Sequence, residues 1–248
     1  MRVDVMRGAQ LIPSARGEIA RFRHRVFVQK LGWEMKTSSQ YGMSPDGEES
    51  NEYDRDDTIY VTLRHEDAII GCARLLPATH RCLLGDHFPH LVDDLPAAIH
   101  MGDGFDMGEG AYAHGASLTC HTSQTCATSA TSQTSSTPPT PVWELSRFAW
   151  EAPQADRALH DGAPGQQSLQ GARELLRAAV FTASSLGARR LIGVTFVSLA
   201  RLFVRIGVPT HKLGAAYRID GRLVAAYRID IDATTRSALG LSGNASAN

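Results

Sequence analysis

The segment Val142-Trp143-Glu144-Leu145-Ser146-Arg147-Phe148 sets a carboxylate, a hydroxyl and a guanidinium into an otherwise apolar run. Such alternation over a few residues predicts a half-buried strand. An ionisable group there costs free energy unless it is paired or used. The plain reading is an internal ion pair between Glu144 and Arg147. The chemical reading makes Glu144 a general base, because an apolar pocket raises a carboxyl's pKa toward neutrality. In a regular strand Glu144 and Ser146 face one way and Arg147 the other, so a shared pocket requires a bulge or a strand end near Ser146. Ser146 has no convincing His/Asp partner in the sequence and is not read as a nucleophile. Upstream, Arg23 and Phe27 stand four apart on a predicted helix and share a face. Arg74 lies in the run Gly71-Cys72-Ala73-Arg74-Leu75-Leu76, where an unpaired guanidinium is costly, so it demands an acidic partner. Asp54 and Asp57, three apart where a loop meets a strand, read as a solvated acidic turn. Phe27 and Trp33 offer aromatic faces to a cation or to the core.

The elements that must position these groups follow from periodicity. Residues 14–31 predict an amphipathic helix capped by Ser14, with Ile19, Phe22 and Val26 at helical spacing. A loop rich in Ser, Gly and acids spans about 36–51. Residues 58–64 and 69–76 predict two strands joined by a turn at His65-Glu66-Asp67-Ala68, with Pro77 ending the second. After the strand at 143–148, residues 168–187 predict a helix with Ala172, Leu175, Leu176, Ala179, Ala183 and Leu186 on its apolar face and Gly187 as its cap. Residues 190–197 read as a buried strand. Ser198 then caps a short helix carrying Leu199, Leu202, Phe203 and Ile206, stopped by Gly207. The repeat Ala215-Ala216-Tyr217-Arg218-Ile219-Asp220 and Ala225-Ala226-Tyr227-Arg228-Ile229-Asp230, with Gly221 between, predicts a hairpin. Strands interspersed with helices predict a mixed α/β or α+β sandwich.

The chain of 248 residues predicts one domain, spanning 1–248. Residues of about 100–141 pass from Gly-rich through Ser/Thr-rich to a Pro run; such a segment buries too little apolar area to offset its ordering entropy, so it reads as a mobile insertion. A net charge of −1 gives no global basic field, which argues against a nucleic-acid partner. No apolar run approaches the roughly 20 residues that span a bilayer, and Met1-Arg2-Val3-Asp4-Val5 lacks a signal core, so no membrane partner and a cytoplasmic location are expected. Cys72 reads as a core residue. Cys120, His121 and Cys126, near His114, fit no standard zinc spacing, and no metal is expected.

Taken in order, Arg23-His24-Arg25-Val26-Phe27, Leu31-Gly32-Trp33, Glu52-Tyr53-Asp54-Arg55-Asp56-Asp57-Thr58-Ile59-Tyr60, Gly71-Cys72-Ala73-Arg74-Leu75-Leu76-Pro77, Phe88 and the 142–148 segment resemble the LuxI-type acyl-homoserine-lactone synthases over roughly 18–98 and 142–232. The resemblance implies an α/β (α+β) fold like the GCN5-related acyltransferases: a three-layer sandwich whose mixed sheet splays between two central strands. It implies that the amine of S-adenosylmethionine attacks a fatty thioester on acyl carrier protein. The methionine carboxylate then displaces the sulfonium, releasing an acyl-homoserine lactone, the quorum-sensing autoinducer, and methylthioadenosine. Both compounds are substrates, and no cofactor is implied. Glu144, Arg147 and Ser146 are then the catalytic candidates, Ser146 touching the acyl carbonyl or sulfur. Arg23, Phe27, Trp33, Asp54, Asp57, Arg74, Phe88 and Arg147 are the candidates for S-adenosylmethionine. Ser146, Phe148, Val194, Thr195 and Phe196 are those for the acyl chain, Thr195 matching the position associated with the substituent at acyl carbon three. The segment 189–198 resembles the octanoyl-making branch.

The family usually carries an acid three residues before Asp54, where this chain has Asn51; Glu49 and Glu52 are candidates to compensate. An acidic carrier protein calls for a basic patch, for which Arg173, Arg177, Arg189, Arg190, Arg201 and Arg205 are candidates. Two other readings stand beside this one. An acyl-coenzyme A N-acyltransferase on the same fold needs a Gly-rich turn before a helix, for which Gly162-Ala163-Pro164-Gly165 is a weak candidate. A non-enzymatic S-adenosylmethionine or acyl-lactone binding module leaves Glu144 and the three arginines unexplained together.

Overall fold

Alternating Ile59, Val61 and Leu63 make a strand because β-branched and large apolar side chains suit a pleated, half-buried surface. In the computed structural model, which describes residues 1–32, 47–78, 82–88, 142–151, 166–219 and 221–241, that strand lies within an eight-stranded sheet. The elements run β1 (Arg2–Arg7), α1 (Pro13–Arg23), a π-helical turn (His24–Lys30), β2 (Ile59–His65), β3 (Ala68–Pro77), α2 (Leu83–His87), β4 (Val142–Trp150), α3 (Gln166–Ser185), β5 (Arg190–Phe196), α4 (Val197–Arg205), β6 (His211–Lys212), β7 (Tyr217–Ile219), β8 (Arg222–Asp230) and α5 (Ala233–Ala238). Trp33, Cys120, Cys126 and residues 100–141 lie outside the described residues.

The sheet order is β1-β2-β3-β4-β5-β8-β6, with β7 also on β8. Every pairing is antiparallel except β4 with β5. That parallel pair holds only through Val142↔Arg190, Trp143↔Leu191 and Glu144↔Ile192. Beyond Glu144 the strands part, which is the splayed mixed sheet expected of this fold class. Gly193 sits at the vertex: a Cβ there would stand 2.4 Å from the carbonyl oxygen of Leu145, so only glycine lets β4 and β5 approach so closely.

Helices cover both faces. Leu175, Leu176, Ala179, Val180 and Ala183 of α3 pack with Val61, Leu63, Leu75, Leu145 and Phe203 of α4. On the other face Ile19 and Phe22 of α1 and Val26 and Phe27 of the π turn pack on Tyr60, Ile69, Cys72 and Ala149, and Leu84 of α2 packs with Val142 and Ile192. Each fully buried leucine contributes about 1.5–3 kcal/mol.

Two helix starts differ from expectation. The predicted helix over 14–31 begins at Pro13, with Ile12 rather than Ser14 at its cap. Proline's fixed φ suits the first helical position, where the missing N–H is no loss. The same helix then changes at His24 into a π turn ending at Lys30. Likewise α4 starts at Val197 after Phe196, not behind a Ser198 cap. By contrast, α3 ends as expected: Gly187 takes φ +84°, and the bonds Ala188 N–H to Ala183 O and Gly187 N–H to Ser184 O close a Schellman motif. The repeat forms its hairpin, β7 pairing with β8 from Tyr217↔Val224 to Ile219↔Arg222.

Candidate active site

The expected irregularity of β4 is present. Cys72 faces Ala149, but Arg74 faces Ser146, so β4 carries one extra residue. Arg147 occupies that bulge at φ +49°, a left-handed conformation costing a non-glycine residue about 1–2 kcal/mol. The bulge flips the alternation that follows it. Trp143, Leu145 and Phe148 pack on the α3 side, while Ser146 and Arg147 both meet polar groups on the α1 side.

There a buried ionic cluster forms. The Arg23 guanidinium forks onto Asp54 at 2.6 and 3.1 Å, and its Nε donates to Glu49. Arg74 donates from Nη1 to Asp54 Oδ1 at 3.0 Å and to Asn51 Oδ1 at 2.8 Å, and from Nε to Ser146 Oγ at 3.0 Å. Arg147 donates through Nε and Nη2 to Glu49 Oε1 at 3.1 and 3.0 Å, with its guanidinium 5.4 Å from the centre of the Phe27 ring. Tyr60 donates to Asp54 at 2.8 Å. Arg147 thus pairs with Glu49 rather than with Glu144, so the plain reading of an internal Glu144–Arg147 pair is not what the strand builds.

Burial opposes charge throughout, and the cross-pairing overcomes it at Asp54, Glu49 and Arg23 but not at Arg74. Despite burial, Arg23 and Arg74 hold Asp54 well below the usual carboxylate range, and Arg147 and Arg23 pull Glu49 down to about 2. Burial lowers Arg74, whereas Asp54 and Glu49 overcome it at Arg23 and raise that group.

Glu144 is different. It is fully buried, and burial raises its carboxyl above the ordinary value against the pull of the Leu84 N–H, the Cys82 thiol, Arg74 and Arg147. Its Oε2 accepts from the Leu84 N–H at 3.1 Å. Its Oε1 and the Arg74 Nη2 are buried without a hydrogen-bond partner among the described residues. Since Arg74 faces Ser146 and Leu76 faces Glu144 across β3 and β4, these two atoms belong to neighbouring positions on one sheet face.

Where β4 and β5 part lies a narrow slot, partly open to solvent, lined by Ser146, Arg147, Phe148, Val194, Thr195 and Phe203 among others. Phe148 meets Phe203 edge-on, ring centres 5.0 Å apart. Of the sequence candidates, the fold therefore gathers Arg23, Phe27, Asp54, Arg74, Glu144, Ser146 and Arg147 around one place, with Phe148, Val194 and Thr195 along the adjoining slot. It does not bring in all of them. Asp57 pairs with Arg55 at 3.0 Å in a partly exposed loop. Phe88 packs, half-buried, against the apolar cluster that includes Leu84, Val142 and Ile192. Phe196 stacks under Arg222 at 5.3 Å and does not line the slot. Glu49 and Asn51 entered the sequence reading only around a missing acid, yet both sit inside the cluster. Tyr60 and Cys82 carried no sequence signal of their own.

The autoinducer synthase family model matches residues 10–103. An acyl-homoserine-lactone synthase of Ralstonia nicotianae is 38% identical over 98% of this chain and 95% of its own, and one of Acinetobacter nosocomialis is 29% identical over 85% and 88%. The crystal structure of TofI in a ternary complex with an inhibitor and MTA superposes with a TM-score of 0.65 at 37% identity, covering 97% of each chain. That of the AHL synthase LasI shares the fold, with a TM-score of 0.64 at 22% identity over 96% and 93%. With an acyltransferase-like splayed sheet and this agreement along nearly its whole length, the chain belongs to the family of acyl-homoserine-lactone synthases, the autoinducer-making acyltransferases of quorum sensing.

Proposed function

We propose that this synthase takes a medium-chain acyl group from acyl carrier protein in the cytoplasm and joins it to S-adenosylmethionine, both being consumed as substrates without a cofactor. The observation that carries the reading is the pair of buried unpartnered atoms, Arg74 Nη2 and Glu144 Oε1. One is a donor and the other an acceptor, on neighbouring positions of one face, beside an apolar slot. An α-amino acid needs that pairing: its carboxylate takes the guanidinium N–H, and its ammonium gives a proton to the carboxylate. With Arg23, Arg74 and Arg147 set against Glu49 and Asp54, the cluster carries an excess positive charge that a substrate carboxylate neutralises. TofI's complex with MTA fits a site that releases methylthioadenosine.

In this reading Glu144 removes the proton from the amine, which attacks the thioester carbonyl; the carrier thiol leaves. Ser146, held by Arg74, faces the acyl carbonyl. Arg23, Asp54, Arg74 and Arg147 hold the homoserine part, Phe27 faces the sulfonium or adenine, and Phe148, Val194 and Thr195 wall the acyl chain. The carboxylate then displaces the sulfonium at its own γ-carbon, and the lactone closes.

The test is incubation with S-adenosylmethionine and either octanoyl-carrier protein or octanoyl-coenzyme A, following lactone and methylthioadenosine. Lactone from the carrier protein with little from coenzyme A is the expected result; efficient turnover only with coenzyme A overturns the donor. Glu144→Gln is expected to lower acyl transfer about 100-fold or more while leaving the melting temperature near wild type or higher, because the variant carries no buried charge. Unimpaired turnover in that variant removes Glu144 from the role of base.

A further inference from the structure

Arg74 Nη2 and Glu144 Oε1 stand on different strands, and one side chain links the groups that hold them. Tyr53 is 1% exposed. Its ring lies against the Arg74 guanidinium, whose central carbon stands 5.7 Å from the ring centre, within reach of a cation–π contact. Its hydroxyl donates to Asp86 Oδ2 at 2.7 Å. Asp86 belongs to α2, and the same five-residue helix gives its Leu84 N–H to Glu144 Oε2 at 3.1 Å.

Tyr53 is itself anchored. Its N–H donates to Asn51 Oδ1 at 3.1 Å, and its carbonyl accepts from Thr58 Oγ1 at 2.7 Å. The α2 helix has less to hold it. A helix of that length is not stable alone, and no side-chain hydrogen bond caps its start. Leu84 packs with Val142 and Ile192, but apolar packing is non-directional. The Tyr53–Asp86 hydrogen bond supplies the direction.

We propose that Tyr53 is a positioning residue for S-adenosylmethionine: its ring and hydroxyl fix the separation of Arg74 Nη2 and Glu144 Oε1, the atoms that take the carboxylate and the ammonium of the amino-acid end. The proposal rests on that pair being the amino-acid clamp. Tyr53 acts through Arg74 and α2, not on the reacting atoms.

The carboxylate and ammonium of an α-amino acid share one carbon, so the substrate cannot stretch to suit a clamp whose two sides have moved. A small misplacement then weakens both contacts. Methylthioadenosine carries neither group, and its binding does not depend on the separation. A fault in packing alone weakens both ligands; a fault in the clamp weakens S-adenosylmethionine only.

The experiment measures the Kd of each ligand by calorimetry on the full chain, for wild type, Tyr53→Phe, Asp86→Asn, Asp86→Ala and Glu144→Gln. Tyr53→Phe keeps the ring against Arg74 and loses the bond to Asp86. S-adenosylmethionine is expected to bind it about 5- to 10-fold more weakly, the scale of one hydrogen bond, and methylthioadenosine within about twofold of wild type. Asp86→Asn and Asp86→Ala remove the same charge, but only asparagine keeps an acceptor for the hydroxyl, so asparagine should hold S-adenosylmethionine more tightly than alanine by a similar factor. Glu144→Gln removes the charge that faces the ammonium. If it weakens both ligands alike, or neither, the clamp reading falls and this proposal with it. If it weakens S-adenosylmethionine alone, the clamp stands and Tyr53→Phe decides: a selective loss supports the positioning role, whereas unchanged binding or an equal loss of both ligands overturns that role alone. If Tyr53→Phe does not fold, Asp86 decides: a selective loss in alanine that asparagine spares supports the proposal, and no difference between the two overturns it.

Discussion

Glu49 is the residue on which the cluster's charge balance turns. It accepts from both Arg23 and Arg147, and it supplies the negative charge that Asn51 does not. Asn51 has its own part: its Oδ1 takes Arg74 at 2.8 Å while its Nδ2 reaches Glu49 Oε1 at 3.4 Å. An aspartate there could accept from the arginine but could not donate to the glutamate. The pH dependence of stability follows from the cited directions. Glu49, lowered to about 2, and Asp54, lower still, bind protons more weakly folded than unfolded. Their contribution is fully present above the unfolded carboxyl range near pH 4–4.5 and is lost as pH falls through that range toward about 2. Glu144 works oppositely: its raised pKa means that ionisation costs stability, and protonation on mild acidification returns it. Urea midpoints are thus expected to hold or rise slightly from neutral pH toward about 5, then fall steeply. Glu49→Gln should cost about 3–5 kcal/mol at pH 7, since it leaves Arg147 buried without its carboxylate, and should flatten the acid fall. An equally steep acid fall in that variant would show that Glu49 does not carry it. Arg74 and Glu144 were legible as buried charges because charge in apolar surroundings demands a reason, and Arg23 through its helical spacing with Phe27 and the family resemblance. Glu49 was not, because one acid in an acid-rich loop looks solvated until the fold buries it.

At the scale of elements, the site depends on two local breaches of regular pairing. One is the bulge that turns Arg147 to the same side as Ser146; the sequence called for it on the condition that Glu144 and Arg147 share a pocket, since strict alternation separates those side chains. The other is the vertex at Gly193, where a β-carbon would press on the Leu145 carbonyl. Gly193→Ala should force β4 and β5 apart at the mouth of the slot. The expected result is a loss of about 1–3 kcal/mol in denaturant stability, together with weaker acyl-donor use at nearly unchanged S-adenosylmethionine affinity. An alanine variant of wild-type stability and turnover would show that the vertex has slack. The regular elements were legible where the pattern was long: α3 with its glycine cap, the β2–β3 pair and the β7–β8 hairpin. The short ones were not. β1, only Arg2–Arg7, alternates Val3 and Val5 with Arg2 and Asp4 but is too brief to stand out from a polar terminus. The π turn after Arg23 escapes periodicity altogether, because an extra residue per turn leaves the apolar spacing of Phe22, Val26 and Phe27 almost as an α-helix would have it.

At the scale of the molecule, the two substrates meet opposite environments. The cluster around Arg23, Arg74 and Arg147 is buried and shielded from salt, whereas the carrier protein proposed as acyl donor would approach from solvent. The chain's net charge of −1 gives no long-range attraction for an acidic partner, so any steering must be local. α4 is placed to supply it. Its Leu199, Ala200 and Phe203 line the slot, while Arg201 and Arg205 on the same helix are exposed. Of the other candidate arginines, Arg173 donates to the Ala238 carbonyl at 2.6 Å, Arg177 lies 3.8 Å from Glu174 and Arg190 3.8 Å from Asp230, while Arg189 is exposed but stands before β5 and off the helix that lines the slot. Arg201→Glu with Arg205→Glu should therefore raise the KM for octanoyl-carrier protein about 10-fold or more, the cost of replacing attraction by repulsion at a rim. The KM for S-adenosylmethionine should change less than twofold. Wild-type KM for the carrier should also climb between low and physiological salt, as exposed charges are screened over a Debye length of about 8 Å, and the double variant should lose most of that climb. Equal changes in both KM values, or a salt response that survives the reversal, would move the docking surface off α4 and leave that helix only as a wall of the acyl slot.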